Sequence, residues 1–100
     1  MLFMIKGRDG EDTGATRKAH LQKHLDYVEA NMHRVRVAGP LVAADGRGLV
    51  GSLYIIEVED AAAAKRFIEN DPYFHTGIWA ELEVTPFRSV AGQWVGGRNW

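Results

Sequence analysis

The sequence predicts an α+β fold in which two helices cover one face of a four-stranded antiparallel sheet. Four short segments either alternate apolar and polar residues or form compact apolar runs, which is typical of strands. In two other segments apolar residues recur at three- and four-residue steps, which is typical of amphipathic helices. The segments follow the order βαββαβ, and right-handed crossovers fold this order into the ferredoxin-like arrangement.

The 100 residues form one domain, 1–100, with a C-terminal tail from about residue 88. The net charge of -1 argues against non-specific binding of nucleic acid, which requires an excess of Lys and Arg. The absence of cysteine excludes disulfides, cysteine-ligated zinc and a thiol nucleophile. The apolar N-terminal run is too short for a signal peptide or a membrane span, so we expect a cytoplasmic protein with no membrane partner.

The first strand is the apolar run Leu2 to Lys6. A glycine-rich loop follows it, and at the end of this loop Asp12 or Thr13 is expected to cap a helix from about Thr16 to Met32.

The first helix has a predicted core face and a polar flank. The core face consists of Leu21, Leu25, Val28 and Met32. At about 100° per residue, His24 and Arg17 lie at the edge of this stripe, with His20 and Tyr27 further round.

The second and third strands are predicted to form a hairpin across the Asp-Gly turn in AADGRG. In the second strand Val35 and Val37 are expected to point one way. Pro40 cannot donate a ladder hydrogen bond, so it predicts an edge strand or a bulge near Gly39. The third strand runs from Val50 to Val58.

The second helix is expected to begin with Asp60 as its cap. Its apolar face consists of Ala64, Phe67 and Ile68. Pro72 disfavours helical geometry at the residue before it, so the helix ends near Asn70. The fourth strand runs from Ile78 to Phe87.

The tail contains a small predicted strand around Val90 to Val95 and two tryptophans, Trp94 and Trp100. Both tryptophans are costly to leave in water, so we expect them to be buried.

The sheet face opposite the helices needs a cover, because alternation places large side chains such as Tyr54 and Trp79 on it. A second copy of the chain would provide this cover. We therefore expect a homodimer or a higher even oligomer.

His24 and Asp71 are the candidate catalytic residues. A carboxylate beside an imidazole fixes its tautomer and prepares it as a general base. Spacing alone favours a simpler interpretation, in which His24 is a half-buried helix residue and Asp71 belongs to an Asp-Pro turn. His20 and His24 have the spacing of metal ligands on a helix, but Lys23 between them would repel a cation, so we expect no metal and no cofactor.

Arg17 and Arg36 are candidate substrate-binding residues, because guanidinium groups bind carboxylates through paired hydrogen bonds. Ion pairing with surface glutamates explains these arginines equally well. Ser52 is a third candidate, since it follows Gly51 at the start of the third strand, where it either lines a cleft or ends a turn.

The sequence resembles the YciI-like (YCII-related) family over nearly its whole length, most weakly after Phe87. The resemblance rests on HLDYV in the first helix, VAGPL in the second strand, DGRGLVGSLYIIEVED across the hairpin and NDPYFHTGIWAELEVTPF at the end. It implies a dimeric α+β barrel, in which two ferredoxin-like sheets pack face to face. It also implies an active-site pair at His24 and Asp71, with His20 as the rival histidine.

Two hypotheses about function follow from this resemblance. One relative eliminates chloride from a chlorinated muconolactone, and muconolactone isomerases share the barrel. The resemblance thus implies a lyase or isomerase that binds a small carboxylated molecule, in which His24 moves the proton and Asp71 orients it. The alternative is a non-catalytic small-molecule-binding or accessory dimerisation domain. The enzyme hypothesis requires His24 and Asp71 to be within hydrogen-bond reach, in a concave pocket.

Overall fold

The computed structural model describes residues 1–98, and its main elements follow the predicted order. The strands are β1 (Leu2–Asp9), β2 (Val35–Val42), β3 (Leu49–Glu57) and β4 (Trp79–Phe87). The helices are α1 (Gly14–Ala30), α2 (Ala61–Glu69) and α3 (Pro72–Thr76). In the tail, the two-residue strands β5 (Ala91–Gly92) and β6 (Gly97–Arg98) flank a 3₁₀ turn at Gln93–Val95. The short helix α3 is not part of the prediction.

The four long strands form one antiparallel sheet in the order β2-β3-β1-β4, with the helices on one face. The core lies between this face and the helices. It contains Phe3, Ile5, Tyr54, Ile56, Ala64, Phe67 and Ile68. The predicted fold is therefore confirmed.

Strand β2 lies at the edge of the sheet, as Pro40 predicts. The expectation that Val35 and Val37 point the same way is wrong. Val35 pairs with Ile56 and Val37 with Ile55, so the register shifts by one residue between them. Because Ile55 and Ile56 are consecutive and point to opposite faces, the two valines do too.

Tyr54 and Trp79 do not lie on the face opposite the helices, which corrects a second expectation. Tyr54 is buried in the core, and Trp79 packs against it. The alternation along β4 is broken by a register shift, since Arg8 pairs with Glu81 but Asp9 pairs with Trp79. Apolar side chains nevertheless occupy the opposite face by their pairing in the ladder: Leu2, Met4, Val37, Leu53, Ile55 and Phe87.

The predicted core face of α1 is wrong for three of its four residues, because only Val28 packs against the core. Leu21, Leu25 and Met32 are 44%, 46% and 55% exposed. The helix instead turns its polar flank inward, so that Arg17 is buried and Tyr27 packs against the core. Periodicity shows which residues share a helix face, but it does not show which face meets the sheet.

The prediction of a side-chain cap is confirmed for α2 and wrong for α1. Asp60 caps α2 by accepting a hydrogen bond from the backbone N–H of Ala63 at 2.8 Å, as predicted. Thr13 occupies the cap position of α1, but its hydroxyl donates to the carbonyl of Gly10 instead of accepting from the helix. None of the helices within residues 1–98 is long and apolar enough to cross a membrane.

The tail does not bury its first tryptophan against its own chain. Trp94 is 85% exposed, so the expectation of burial is wrong within the chain. Trp100, for which the same expectation holds, lies outside the described residues.

Candidate functional site

Asp71 is a completely buried carboxylate between α2 and α3. Pro72 holds the residue before it in an extended conformation, so Asp71 becomes the N-cap of α3. One oxygen, Oδ1, accepts a hydrogen bond from the backbone N–H of Tyr73 at 2.9 Å. The other, Oδ2, accepts from the hydroxyl of Tyr54 at 2.8 Å. These bonds satisfy a charged group that burial would otherwise strongly disfavour.

His24 of α1 is the third partner of this carboxylate. Its Nδ1 lies 2.8 Å from Oδ2 and 3.0 Å from Oδ1 of Asp71. When Asp71 is ionised, Nδ1 carries the proton and donates it to the carboxylate, so the lone pair of neutral His24 is on Nε2. Nε2 has no hydrogen-bond partner within residues 1–98, and the side chain is 14% exposed. The arrangement therefore presents an oriented base with one available nitrogen.

Two tyrosines hold the imidazole ring in place. The ring of Tyr73 stacks on His24, with centroids 4.2 Å apart and an angle of 14° between the planes. Tyr54 approaches the same imidazole edge-on, with centroids 6.2 Å apart. Burial, and then the negative charge of Asp71, raise the pKa of Tyr54 well above its ordinary value. Tyr54 therefore remains protonated and donates to Asp71 throughout the physiological pH range.

Arg17 is buried in a second polar cluster, at the end of β1. Its Nε and Nη2 each donate to an oxygen of Asp9 at 3.0 Å. Nη2 also lies 3.0 Å from the carbonyl of Gly51 and 2.9 Å from the hydroxyl of Ser52. Burial acts to lower the pKa of Arg17, but the hydrogen bond and charge of Asp9 outweigh it, and the pKa is raised. The structure thus brings together two predicted binding residues, Arg17 and Ser52, and bonds them to each other.

Tyr73 connects the two clusters. Its hydroxyl donates to the main-chain carbonyl of Arg17 at 3.0 Å, and the Arg17 guanidinium carbon lies 5.1 Å from the centre of its ring. The same ring stacks on His24. A displacement of α1 would therefore disturb both clusters together.

Arg36 and His20 lie apart from this site. Arg36 is exposed and pairs with Glu57 at 2.9 Å, near the sheet face opposite the helices. Asp71 bonds to His24 and not to His20. Within residues 1–98, no three His, Asp or Glu side chains are grouped as metal ligands would be.

Close packing restricts Gly51 and Gly7 to glycine, against backbone in the first case and against a side chain in the second. A Cβ on Gly51 would overlap the carbonyl oxygen of Gly7. A Cβ on Gly7 would lie 2.7 Å from the indole of Trp79. Gly51 thus lets β3 approach β1 closely at the point where its carbonyl accepts from Arg17.

Three residues of the site are not predicted from the sequence: Asp9, Tyr54 and Tyr73. Alternation assigned Tyr54 to the wrong sheet face, and Asp9 was assigned to a loop. The polar flank of α1 is a signal for such residues. Where a polar helix flank packs against a sheet, its buried side chains need hydrogen-bond partners on the strands.

Two surface cavities of the described residues lie elsewhere. One of about 950 Å³ lies between the tail and the sheet face opposite the helices, and Ile55 and Trp94 line it. The other, of about 560 Å³, is lined by residues that include Tyr27 and Arg66. Neither is lined by His24 or Asp71. The site therefore meets the hydrogen-bond requirement of the enzyme hypothesis, while neither cavity provides the required pocket.

The comparisons with known proteins agree on one family. The model of the YCII-related domain matches residues 1–88. Protein YciI of Escherichia coli O6:H1 (strain CFT073) is 32% identical over 98 aligned residues, covering 90% of this chain and 99% of that protein. An uncharacterized protein of Haemophilus influenzae (strain Rd) is 32% identical over 97 aligned residues, again covering 90% of this chain and 99% of that protein.

One solved structure shares both fold and sequence with this chain. It is the 5-chloro-2-hydroxyhydroquinone dehydrochlorinase of Burkholderia phenoliruptrix AC1100 in complex with 2,5-dihydroxybenzoquinone. The TM-score is 0.83 at 31% identity, and the match covers 93% of this chain and 97% of that one.

Proposed function

Because the chain belongs to the YCII-related family, we propose that it is an enzyme that moves a proton on a small molecule, with His24 as general base and Asp71 as its orienting carboxylate. The observation that supports this proposal is the 2.8 Å contact between His24 Nδ1 and Asp71 Oδ2. It leaves Nε2 free of partners within residues 1–98 and fixes the direction in which the ring can accept a proton.

The proposed reaction is a lyase or isomerase step. His24 Nε2 removes a proton from a carbon or hydroxyl of the substrate, and the electron pair left behind forms a new double bond. In an elimination, a leaving group such as chloride departs with the electron pair of its bond to carbon. In an isomerisation, the imidazolium returns the proton at another atom. Asp71 stabilises the imidazolium formed in either case, at a distance of 2.8 Å.

The proposed substrate is a small ring compound, such as a hydroxylated quinoid or a lactone. The neighbouring structure is named as a dehydrochlorinase and holds a dihydroxybenzoquinone, which is a precedent on the same fold. The geometry gives less support to a substrate whose carboxylate is bound by Arg17 or Arg36. Arg36 pairs with Glu57 on the other side of the sheet, and three of the hydrogen bonds of the Arg17 guanidinium go to Asp9 and Gly51.

The test is turnover of a panel of chlorinated hydroxyquinones and lactones, measured as chloride release and as uptake of deuterium from the solvent. We expect His24→Gln to lower the rate by about 10²–10⁴-fold, the usual contribution of a general base, with substrate binding retained. The matched control is His20→Gln on the same helix, since His20 has no bond to Asp71. Full activity in His24→Gln, or an equal loss in His20→Gln, would overturn the proposal.

A second candidate function is supported by the larger cavity. This space of about 950 Å³ is bounded by the tail and the sheet and lies away from His24, as a non-catalytic binding domain would allow. A ligand bound in this cavity would raise the melting temperature equally in the wild type and in His24→Gln. It would no longer raise the melting temperature in Trp94→Ala.

We also propose that two copies pack through the sheet face opposite the helices. Leu2, Met4, Leu53 and Ile55 lie on this face and are only partly buried in the single chain. A second copy would remove these side chains from water at roughly 25 cal/mol per Å². The predicted cytoplasmic location stays a prediction.

A further inference from the structure

An apolar stripe on α1 is left uncovered by the rest of residues 1–98. It contains Leu21 and Leu25 and continues to Met32 just beyond the helix, and each of these side chains is more than two-fifths exposed. Leu21 and Leu25 are four residues apart and Met32 follows seven residues later, so the three side chains lie in one row. Rows of this kind on a surface indicate a contact with another molecule.

The stripe on α1 and the residues of the edge strand β2 on the helix side of the sheet are both exposed. On the other side of α1, the Tyr27 hydroxyl bonds to Phe67 of α2, so the stripe faces away from α2. Ala38 and Pro40 of the edge strand β2 pair with Tyr54 and Ser52, which places them on the helix side of the sheet, yet both are exposed. The tail lies at the opposite face, so no described segment covers the stripe.

Two opposite charges flank the apolar stripe. Lys18 lies about one turn before Leu21, and Glu29 lies about one turn after Leu25, on the same side of the helix. Neither charge forms an ion pair within residues 1–98. The midpoint between the two leucines is Lys23, and the midpoint between the two charges lies between Lys23 and His24. Both pairs are therefore centred near the middle of the helix.

We propose that the α1 flank, defined by Lys18, Leu21, Leu25 and Glu29, binds the α1 flank of a second copy in antiparallel orientation. A two-fold axis at the centre of the helix places Lys18 opposite the partner's Glu29 and Leu21 beside the partner's Leu25. A parallel arrangement in register would place Lys18 against the partner's Lys18, and like charges oppose such pairing. The charges of the α1 flank are thus complementary to those of a second copy related by a two-fold axis, and a second copy is therefore the proposed partner.

The contact is separate from the proposed sheet-face dimer, since the α1 flank and the apolar sheet face lie on different sides of the sheet. It involves four side chains of each copy, whereas a standard protein interface uses about 20–30 residues a side. We therefore expect an association step that depends on concentration in the micromolar range, and sedimentation equilibrium over that range would measure it.

The first part of the test removes the apolar stripe. Leu25→Glu is expected to abolish this step and halve the mass at high concentration. The helix should persist, because Leu25 is 46% exposed and glutamate favours helices. The matched control is Leu82→Glu on β4, at the far edge of the sheet, where an exposed leucine is replaced in the same way and the mass should not change. An unchanged mass for Leu25→Glu would overturn the proposal.

The second part tests the antiparallel orientation. Lys18→Glu alone and Glu29→Lys alone each place like charges opposite one another, so each should weaken self-association. An equimolar mixture should associate more tightly than either variant alone, because every pair across the two-fold axis is then opposite in sign. A mixture that associates no better than the separate variants would overturn the antiparallel contact, even if Leu25→Glu halves the mass.

Discussion

Asp71 shows how much of a site one buried residue can organise. Three donors converge on its two oxygens: the Tyr54 hydroxyl, the Tyr73 backbone and His24 Nδ1. Sequence spacing favours an ordinary turn residue at this position, and the family resemblance was what selected it as a candidate. The His24–Asp71 contact was therefore predictable. The partners of Arg17 were not, because Asp9 and Gly51 meet it only after the sheet has formed.

Replacing Asp71 by Asn should destabilise the fold by about 1–3 kcal/mol, because an amide has one acceptor oxygen where the carboxylate has two for its three donors. Asp45→Asn is the matched control. The side chain of Asp45 also accepts from the backbone N–H two residues later, at 2.8 Å, but it is exposed. We expect a change within about 0.5 kcal/mol for this control. Urea unfolding of both variants measures the difference, and equal effects would contradict the assigned role of the buried carboxylate.

The three tyrosines of the chain should all resist ionisation in alkali. Burial, and then the charge of Asp71, raise the pKa of Tyr27 to about 12. Burial also raises the pKa values of Tyr54 and Tyr73. An unfolded chain releases these protons near pH 10, so the folded state holds more protons above that pH. Stability should therefore be complete below about pH 10 and decline as the pH rises toward 12.

The measurement is tyrosinate absorbance as a function of pH. The native protein should show no step near pH 10, and the protein in urea should show ionisation of all three tyrosines there. If the absorbance of the native protein rises near pH 10 before its helical circular dichroism falls, at least one tyrosine does not have the raised pKa described above.

At the scale of elements, the two long helices show where sequence patterns succeed and fail. In α2 the cap at Asp60 and the face of Phe67 and Ile68 were predicted correctly, because each depends on neighbours within one or two turns. In α1 the apolar row was identified but assigned to the wrong side. The inward flank is polar, and only contacts with distant elements, such as that of His24 with Asp71, make its burial favourable.

The strands show the same division between local and distant causes. Their order and the edge position of β2 followed from chain order and from one proline. The register shifts opposite Asp9 and after Val35 could not be predicted, since a bulge depends on the partner strand. Each shift reverses the faces of the residues beyond it, and this is why Trp79 lies on the helix side.

At the scale of the molecule, residues 1–98 leave two apolar surfaces exposed. One is the sheet face that includes Leu53 and Ile55, and the other is the α1 flank. The core of a chain of 100 residues is modest, so burial between copies is a direct way to gain stability. The surfaces lie on opposite sides of the sheet, and each can therefore be removed without the other.

Ile55→Lys should remove the sheet-face contact, because a charge on each copy would be brought to the centre of an apolar interface. We expect light scattering to show half the wild-type mass. Combined with Leu25→Glu, the same change should leave a monomer of 11.2 kDa. The control is Lys6→Ala on the same face, where an exposed charge is removed and association should be retained. If Ile55→Lys keeps the wild-type mass, the sheet face is not an interface between copies.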